Sequence, residues 1–535
     1  MSLGLLKQSH IPIRRLFSTI PGYNLKCGLE IHTQLNTENK LFSRSRNDPF
    51  RYVDQPNVNA SYFDVALPGS RPTLNYEVVL YALKLALAMN STINLNSQFD
   101  RKHYFYGDLP QGYQITQHYR PIATGGQLTL SKPFDDISSP SKAVNIKQLQ
   151  IEQDTGRSVY LQGEGLTLID LNRANVPLIE LVTEPDLTSI KEVRAFLKKY
   201  QDIVRQLKIS TGDLETGSVR VDVNINVNEY PRVELKNLPN TSSIINAIKY
   251  EYKRQVNIIQ SGKAESELRE VETRRWDGEK HSSSDLKSPH LIYRYMPDPE
   301  LPYINLDKSI VADVAKTLPK LSDEVLDMFM NEPYNLSLKD ARILTMNHNL
   351  SVFYTNEEIK DFYLSTFQIF SDTIEGESSS SKIVINWVLH ELLGTLNKLG
   401  VALKESREIL SPQKFAEFLL LIYNRKISNS NAKLLLFHLI ENIKDYKENS
   451  NLNLVQLTSD LELDSNSSFN DAQLQEQCRL ILKELDNSEL VDSLVSGKKK
   501  NTLQYLVGQG MRKFHGKVEA QELQKTFKNI LNIKW

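Results

Sequence analysis

Apolar and polar positions alternate without a break from 219 to 228. Val219, Val221, Val223, Ile225 and Val227 oppose Arg220, Asp222, Asn224, Asn226 and Asn228. A period of two is that of a β-strand with one buried face. After a turn at Glu229, Tyr230 and Pro231, Val233 and Leu235 alternate with Glu234 and Lys236, which predicts a hairpin. The pattern recurs at 29–35, where Leu29, Ile31, Thr33 and Leu35 alternate with Glu30, His32 and Gln34. Glu30 and His32 therefore point the same way. In LQIEQDTG (149–156), Glu152 and Asp154 again stand two apart.

The stretch IDLNRANVPLIELVTEPD (169–186) has an apolar centre yet carries Asp170, Arg173, Glu180, Glu184 and Asp186. Charged side chains are seldom buried without a partner or an ion, so this run suits the wall of a polar site built on strands. Together these segments predict an antiparallel sheet with one face on a core and one polar, functional face. Helical patterns are inserted at 76–89, capped by Asn75 with Glu77 in the first turn, and at 190–207 and 241–260. From 306 onward the periodicity is helical, with polar breaks at 375–382, 445–453 and 463–471. The expected fold is α+β: a mainly antiparallel-sheet, cradle-like domain at 21–305, a helical domain at 306–450 and a small helical tail at 451–535.

With 535 residues the chain exceeds what one core usually supports, which implies several domains. Its formal net charge is -1, so any RNA contact must come from local patches, not from the overall field. The two cysteines, Cys27 and Cys478, are too few and too far apart for a disulfide scaffold or a zinc cluster. No apolar run reaches the length of a membrane span. The first residues are distinctive: Lys7, Arg14, Arg15 and Lys26 precede the first acid, Glu30. An acid-free, Arg-bearing, Ser-containing start is the composition of a mitochondrial targeting segment, placed at 1–20 and pointing to the matrix.

Several motifs in this order resemble the B subunit of the tRNA-dependent amidotransferase. They are GLEIHTQL (28–35), FDRKHYFYGDLPQGYQITQ (99–117), IEQDTGRS (151–158), LNRANVPLIELVTEPD (171–186), LETGSVRVDVNI (214–225), VELKNL (233–238) and YRYMPDPELP (293–302). The likeness is weak from 306 to about 495 and returns at LQYLVGQGMRKFHGK (503–517), which is similar to the family's tail module. The resemblance implies that 21–305 is a catalytic domain that binds ATP and Mg2+. It implies phosphorylation of the γ-carboxylate of Glu-tRNA(Gln), and in some organisms the matching aspartyl substrate, followed by displacement of phosphate by ammonia.

A metal that bridges phosphate oxygens wants hard oxygen ligands, and several carboxylates on one sheet face meet that need. The metal candidates are Glu30, His32, Glu152, Glu215 and Glu234, with His32 atypical for magnesium. Glu30, Glu152, Glu215 and Lys236 are the catalytic candidates. Arg101, Lys102, Arg220 and Lys236 are the phosphate contacts, because a purely acidic site cannot hold ATP. Glu180, Glu184, Asp154 and Asp222 rank second, as partners for Arg173 or Arg220. Tyr104, Tyr106, Tyr113 and His103 are candidates for stacking on RNA or adenine. There is no GxxxxGKS/T loop, which excludes the P-loop class of nucleotide site.

The tail carries Lys498, Lys499, Lys500, Arg512, Lys513 and Lys517 with no acid between 493 and 517. Leu503, Leu506, Val507 and Met511 sit near helical spacing among them, the pattern of a basic amphipathic helix presented to tRNA. No Gly/Ser-rich amidase nucleophile segment is visible. Ammonia must then come from another chain. The resemblance identifies that chain as an amidase (glutaminase) A subunit, with a small third subunit that braces the pair. The competing expectation is a non-catalytic tRNA-binding scaffold of the same complex.

Overall fold

The computed structural model describes residues 20–48, 54–161, 163–278, 281–283, 293–345, 352–374, 380–447, 452–464, 471–484, 501–513 and 520–531. The chain divides into two compact units, Met1–Leu321 and Ser322–Trp535.

Among the described residues, all the strands lie in the first unit. They are β1 (Leu25–Gln34), β2 (Thr92–Ile93), β3 (Asn96–Ser97), β4 (Asp100–His103), β5 (Tyr113–Thr116), β6 (Ala123–Thr124), β7 (Gln127–Ser131), β8 (Ser141–Gln153) and β9 (Arg157–Leu161). They continue with β10 (Leu166–Asp170), β11 (Pro177–Thr183), β12 (Val219–Val227), β13 (Val233–Lys236), β14 (Glu272–Trp276), β15 (His281–Ser283), β16 (Arg294–Pro297) and β17 (Ile304–Asn305). The main sheet runs β15-β14-β13-β12-β1-β11-β8-β6-β2, with β7 also on β8. Its pairs are antiparallel apart from β13 with β14. A smaller sheet, β16-β4-β5, carries the 99–117 and 293–302 motifs together.

Alternation decides which face is covered. Leu25, Cys27, Leu29 and Ile31 of β1, the five apolar residues of β12, and Ile179, Leu181, Leu149 and Ile151 are all buried. They form one core with α1 (Tyr76–Ala88), and with the long helices Ile190–Gln206 and Thr241–Gln260. Burying each such side chain contributes about 1.5–3 kcal/mol, which holds the strand register; a slip by one residue would expose the whole set. The first helix begins at its expected Asn75 cap, and the two long helices carry caps as well. The Asn75 side chain accepts from the Glu77 N–H, Ser189 from Glu192 and Asn240 from Ser243. The unit extends past 305 because the helix Lys308–Lys316 adds Val314 to this core, with Leu318 and Leu321 packed against it.

In the second unit the described residues are helical. A capping box, Thr355 with Glu358, starts the helix Asn356–Thr373, which packs on Pro412–Tyr423. The helix Leu454–Asp460 also packs on Pro412–Tyr423, and Ile427 bridges to Asp464. The sequence places the tail boundary at 451, yet these contacts carry the preceding helical layer on to 464. Beyond it, Asp471–Glu484, Asn501–Lys513 and Ala520–Ile530 make their own core from Leu474, Cys478, Ile481, Leu503, Leu506, Leu523 and Phe527. Arg512 and Lys513 end the middle helix of these three. Lys498, Lys499 and Lys500, like the basic segment 1–19, lie outside the described residues.

Candidate active site on the polar face of the sheet

The polar face is set by the same alternation, and the register chooses the neighbours. On β12, Asp222 lies opposite Glu30 and Arg220 opposite His32. On β11, Glu180 lies opposite His32, and one strand further Glu152 of β8 pairs with Leu178. On the other side, Glu234 of β13 pairs with Asn224.

Two groups of potential ligands result. In the first, His32, Glu152 and Glu180 bring one ligand atom each within 4.8 Å of one another. His32 Nε2 stands 3.2 Å from Glu152 Oε1. Thr116 Oγ1 donates to Glu152 Oε2 at 3.4 Å, and the Gln150 amide donates to Glu180. In the second group, Glu30, Asp222 and Glu234 meet within the same 4.8 Å span. Asn224 Nδ2 donates to Glu30 Oε1 at 2.8 Å, and Thr273 Oγ1 to Glu234 Oε2 at 2.9 Å. Lys236 Nζ bridges Asp222 (3.1 Å) and Glu234 (2.9 Å).

Burial and mutual repulsion tune these groups. Burial pushes the Glu180 carboxyl up to about 7, and the charges of Glu152 and Glu30 add to it. For His32, burial opposes the imidazolium, but the hydrogen bond and charge of Glu152 outweigh it and push the ring up to about 9. Burial works against the Glu152 carboxylate too, and the His32 contact and Lys102 hold it below its ordinary value. Lys236 is shifted up, because Asp222 and Glu234 overcome its desolvation. The first group thus carries a proton near neutral pH, whereas in the second Lys236 is charge-paired with Asp222 and Glu234, and Glu30 is held by the Asn224 amide.

The small sheet supplies the rim. Lys102 Nζ lies 4.4 Å from the centre of the Tyr293 ring and 5.7 Å from that of Tyr104. Burial would lower its pKa, but the field of Glu152 and Glu180 raises it. Tyr104 meets Tyr106 and Tyr293 edge to face, each at 5.7 Å, and His118 stacks on Tyr295 at 3.8 Å. Arg220 grips the buried Asp154 with two 3.0 Å hydrogen bonds.

The structure therefore brings together Glu30, His32, Glu152 and Glu234, with Lys102, Arg220 and Lys236 beside them. It does not bring in Glu215, which is exposed in the turn before β12 and belongs to neither group. Arg101 is also elsewhere. Alternation along β4 turns it to the opposite side from Lys102, where it stacks over Tyr113 at 4.2 Å. There it pairs with Asp298 at 2.7 Å and Glu300 at 3.1 Å. Glu180 and Asp222, ranked second from the sequence, sit inside the groups, and Asp154 serves an arginine pair. Asn224, Gln150 and the tyrosines 293 and 295 join the site without having been expected there. Asn224 is visible on the polar side of the 219–228 alternation, and Gln150 by its two-residue spacing from Glu152.

On donor chemistry, the all-oxygen set Glu30, Asp222 and Glu234 fits a hard divalent cation such as magnesium, while the set containing His32 is mixed. Two carboxylate groups that could hold a cation thus lie on one face of an antiparallel sheet, flanked by lysines and arginines, the arrangement of a catalytic sheet domain. The chain matches the GatB/GatE catalytic domain over residues 25–312 and the GatB domain over 368–531. It is 53% identical to a Vanderwaltozyma polyspora protein over 97% of both chains. It is 54% identical to an Eremothecium gossypii protein, covering 98% of this chain and 99% of that one. Against a Saccharomyces cerevisiae protein it is 53% identical over 96% of each. All three are named as the B subunit of mitochondrial glutamyl-tRNA(Gln) amidotransferase. The chain belongs to the GatB/GatE family, and the shared mitochondrial designation bears out the localisation expected from its N-terminus.

Proposed function

We propose that this chain is the synthetase-like subunit of a mitochondrial amidotransferase that converts Glu-tRNA(Gln) to Gln-tRNA(Gln) with ATP. The observation that carries the reading is the pair of carboxylate groups on one sheet face, His32/Glu152/Glu180 and Glu30/Asp222/Glu234, with Lys102, Arg220 and Lys236 around them. The names of the relatives supply the substrate.

A carboxylate is a poor electrophile. Transfer of the γ-phosphoryl group of ATP to one oxygen of the tRNA-linked γ-carboxylate gives an acyl phosphate and ADP. Ammonia then adds to the carbonyl carbon, inorganic phosphate leaves with its bridging oxygen, and the nitrogen loses a proton. A bound magnesium ion would neutralise phosphate charge, with Glu30, Asp222 and Glu234 as its holders. Lys102 and Arg220 supply positive charge against the transferring group, and Lys236 is positioned by its two carboxylate partners to do the same. Glu180, pushed up to about 7 beside His32, exchanges a proton near neutral pH and can take the one released from the attacking nitrogen. Tyr104, Tyr293 and Tyr295 offer π-faces to the acceptor end or the adenine. Ammonia comes from an amidase A subunit, and a small third subunit braces the pair.

Glu152→Gln and Glu234→Gln, tested in the assembled complex with charged tRNA, should each lower amidation by roughly 100-fold or more while the fold is kept. ATP hydrolysis that depends on Glu-tRNA(Gln) should fall with it. Amidation near the parent rate in both variants would instead fit a non-catalytic tRNA-binding scaffold.

A further inference from the structure

Two arginines share one buried carboxylate beside the acid groups. The Asp154 side chain is only 4% exposed. It accepts from Arg220 Nη1 and Nη2 at 3.0 Å each, from Gln34 Nε2 at 3.1 Å and from the Thr155 N–H at 2.9 Å. A carboxylate offers about four lone-pair sites, so Asp154 is saturated and is no metal ligand. Its work is to hold arginine.

Arg173 is aimed from the other side. Its Nε donates to the Thr155 carbonyl at 3.0 Å and lies 3.6 Å from Asp154 Oδ2. Its Nη2 donates to the Gly156 carbonyl at 2.7 Å. That carbonyl is fixed by a tight backbone crossing. The Gly156 N–H donates to Asp108 O at 2.8 Å, and a Cβ there would meet Asp170 O at 2.9 Å and Asp108 O at 3.0 Å. All of these contacts use the Nε and Nη2 edge of Arg173. Among the described residues its Nη1 meets no acceptor, and neither does Arg220 Nε. Both side chains are 35% exposed.

Counting these three side chains, two guanidiniums on one carboxylate leave one positive charge over, half-buried and pre-oriented; Arg220 stands in the register row of His32 and also feels the charges of Glu152 and Asp222. Such a charge with free planar donors matches an oxyanion. We propose that Arg173, together with Arg220, forms an oxyanion receptor of the active site, with Asp154 as its positioning residue. The proposal rests on the function given above. The oxyanion is either the side-chain carboxylate of the aminoacyl group or a phosphate of the nucleotide, and both present the same paired oxygens.

The test uses the assembled complex carrying Arg173→Gln or Arg173→Lys. KM is measured separately for ATP and for Glu-tRNA(Gln), with kcat and a melting curve for each protein. Arg173→Gln should raise one of the two KM values by roughly tenfold or more, the loss of a charge-assisted contact. Arg173→Lys should recover part of that, since it restores the charge but not the planar fork. A rise confined to Glu-tRNA(Gln) identifies the carboxylate, and one confined to ATP identifies the phosphate. Unchanged KM values for both substrates, or only a lowered melting temperature, would overturn the receptor. Absence of tRNA-dependent ATP hydrolysis in the parent complex would instead remove the underlying function, so the two failures are separable.

Discussion

His32 Nε2 lies 3.2 Å from Glu152 Oε1 although their strands, β1 and β8, are not neighbours. β11 runs between them and contributes Glu180 to the same group. The contact therefore depends on three strands keeping register at once. Leu178, directly opposite Glu152 on β11, is buried, and His32 is opposite Glu180 two residues further along the same strand. Glu30, two residues before His32 on β1, reaches the other way to β12 and β13, so β1 feeds both groups.

This arrangement fixes a pH dependence. The folded Glu180 carboxyl titrates at about 7, above its ordinary value of 4.5, so the neutral form is favoured in the folded state. Its contribution to stability is present below the unfolded value and is lost as pH rises through about 7. His32 is raised from 6.5 to about 9, so its contribution is full below 6.5 and fades as pH rises through about 9. A divalent cation held by the His32/Glu152/Glu180 group, beside the one assigned to Glu30, Asp222 and Glu234, needs both side chains deprotonated. Calorimetric titration of the metal-free protein with manganese should give affinity that strengthens steadily from about pH 6 to 9. A flat profile would show that neither group is a ligand.

Arg101 should behave as a structural residue. Arg101→Ala leaves Asp298, whose side chain is fully buried, without its 2.7 Å partner. Removing one member of a buried pair costs about 3–5 kcal/mol. The Glu300 N–H still bonds to Asp298 Oδ1 at 2.8 Å, which puts the expected loss at the lower end. Urea unfolding reads it directly. An unchanged midpoint together with a raised KM for ATP would return Arg101 to the phosphate side.

The contrast between Arg101 and Lys102 marks where sequence reasoning ends. Strict alternation places the polar faces of β1, β12 and β13 correctly, because a period of two in a sheet with one covered face leaves no choice. The Asn75 cap places the start of α1, and the helical pattern places the two long helices. What alternation cannot give is pairing across the sheet. Glu180 and Asp222 read as ion-pair partners until β11 and β12 are set on either side of β1. Arg101 sits in a four-residue strand whose polar and apolar residues do not alternate, so its direction is unreadable. Glu215 lies two residues into a motif but before the strand starts, in a turn that points it to solvent.

Division of labour between chains gives a further expectation. The two cysteines are buried; burial alone pushes the Cys27 thiol up to about 12, which makes it a poor nucleophile. The purified chain should show no glutamine hydrolysis. High ammonium should replace glutamine in part for the complex, because a partner mainly raises ammonia locally. Glutaminase activity from this chain alone would contradict the assignment.

The tail offers the clearest separation of binding from chemistry. Its helices Asp471–Glu484, Asn501–Lys513 and Ala520–Ile530 close around their own core, and Gly510 admits Leu523 so closely that a Cβ would lie 3.2 Å from it. A cut at 465 thus removes a whole packing unit, whereas a cut at 451 would also strip Leu454–Asp460 from the helix it packs on. The basic residues Lys498, Lys499, Lys500, Arg512 and Lys513 go with it, and every carboxylate of the two site groups remains. Each phosphate these cations neutralise adds about 0.7–0.9 to the slope of log affinity against log salt. The truncated complex should therefore bind tRNA more weakly and with a shallower salt slope, yet amidate at the parent rate once tRNA is saturating. Titrations at several salt concentrations, with single-turnover amidation alongside, separate the two effects. If affinity and slope both stay the same, the tail is not an RNA element; if the single-turnover rate collapses, it does more than hold the substrate.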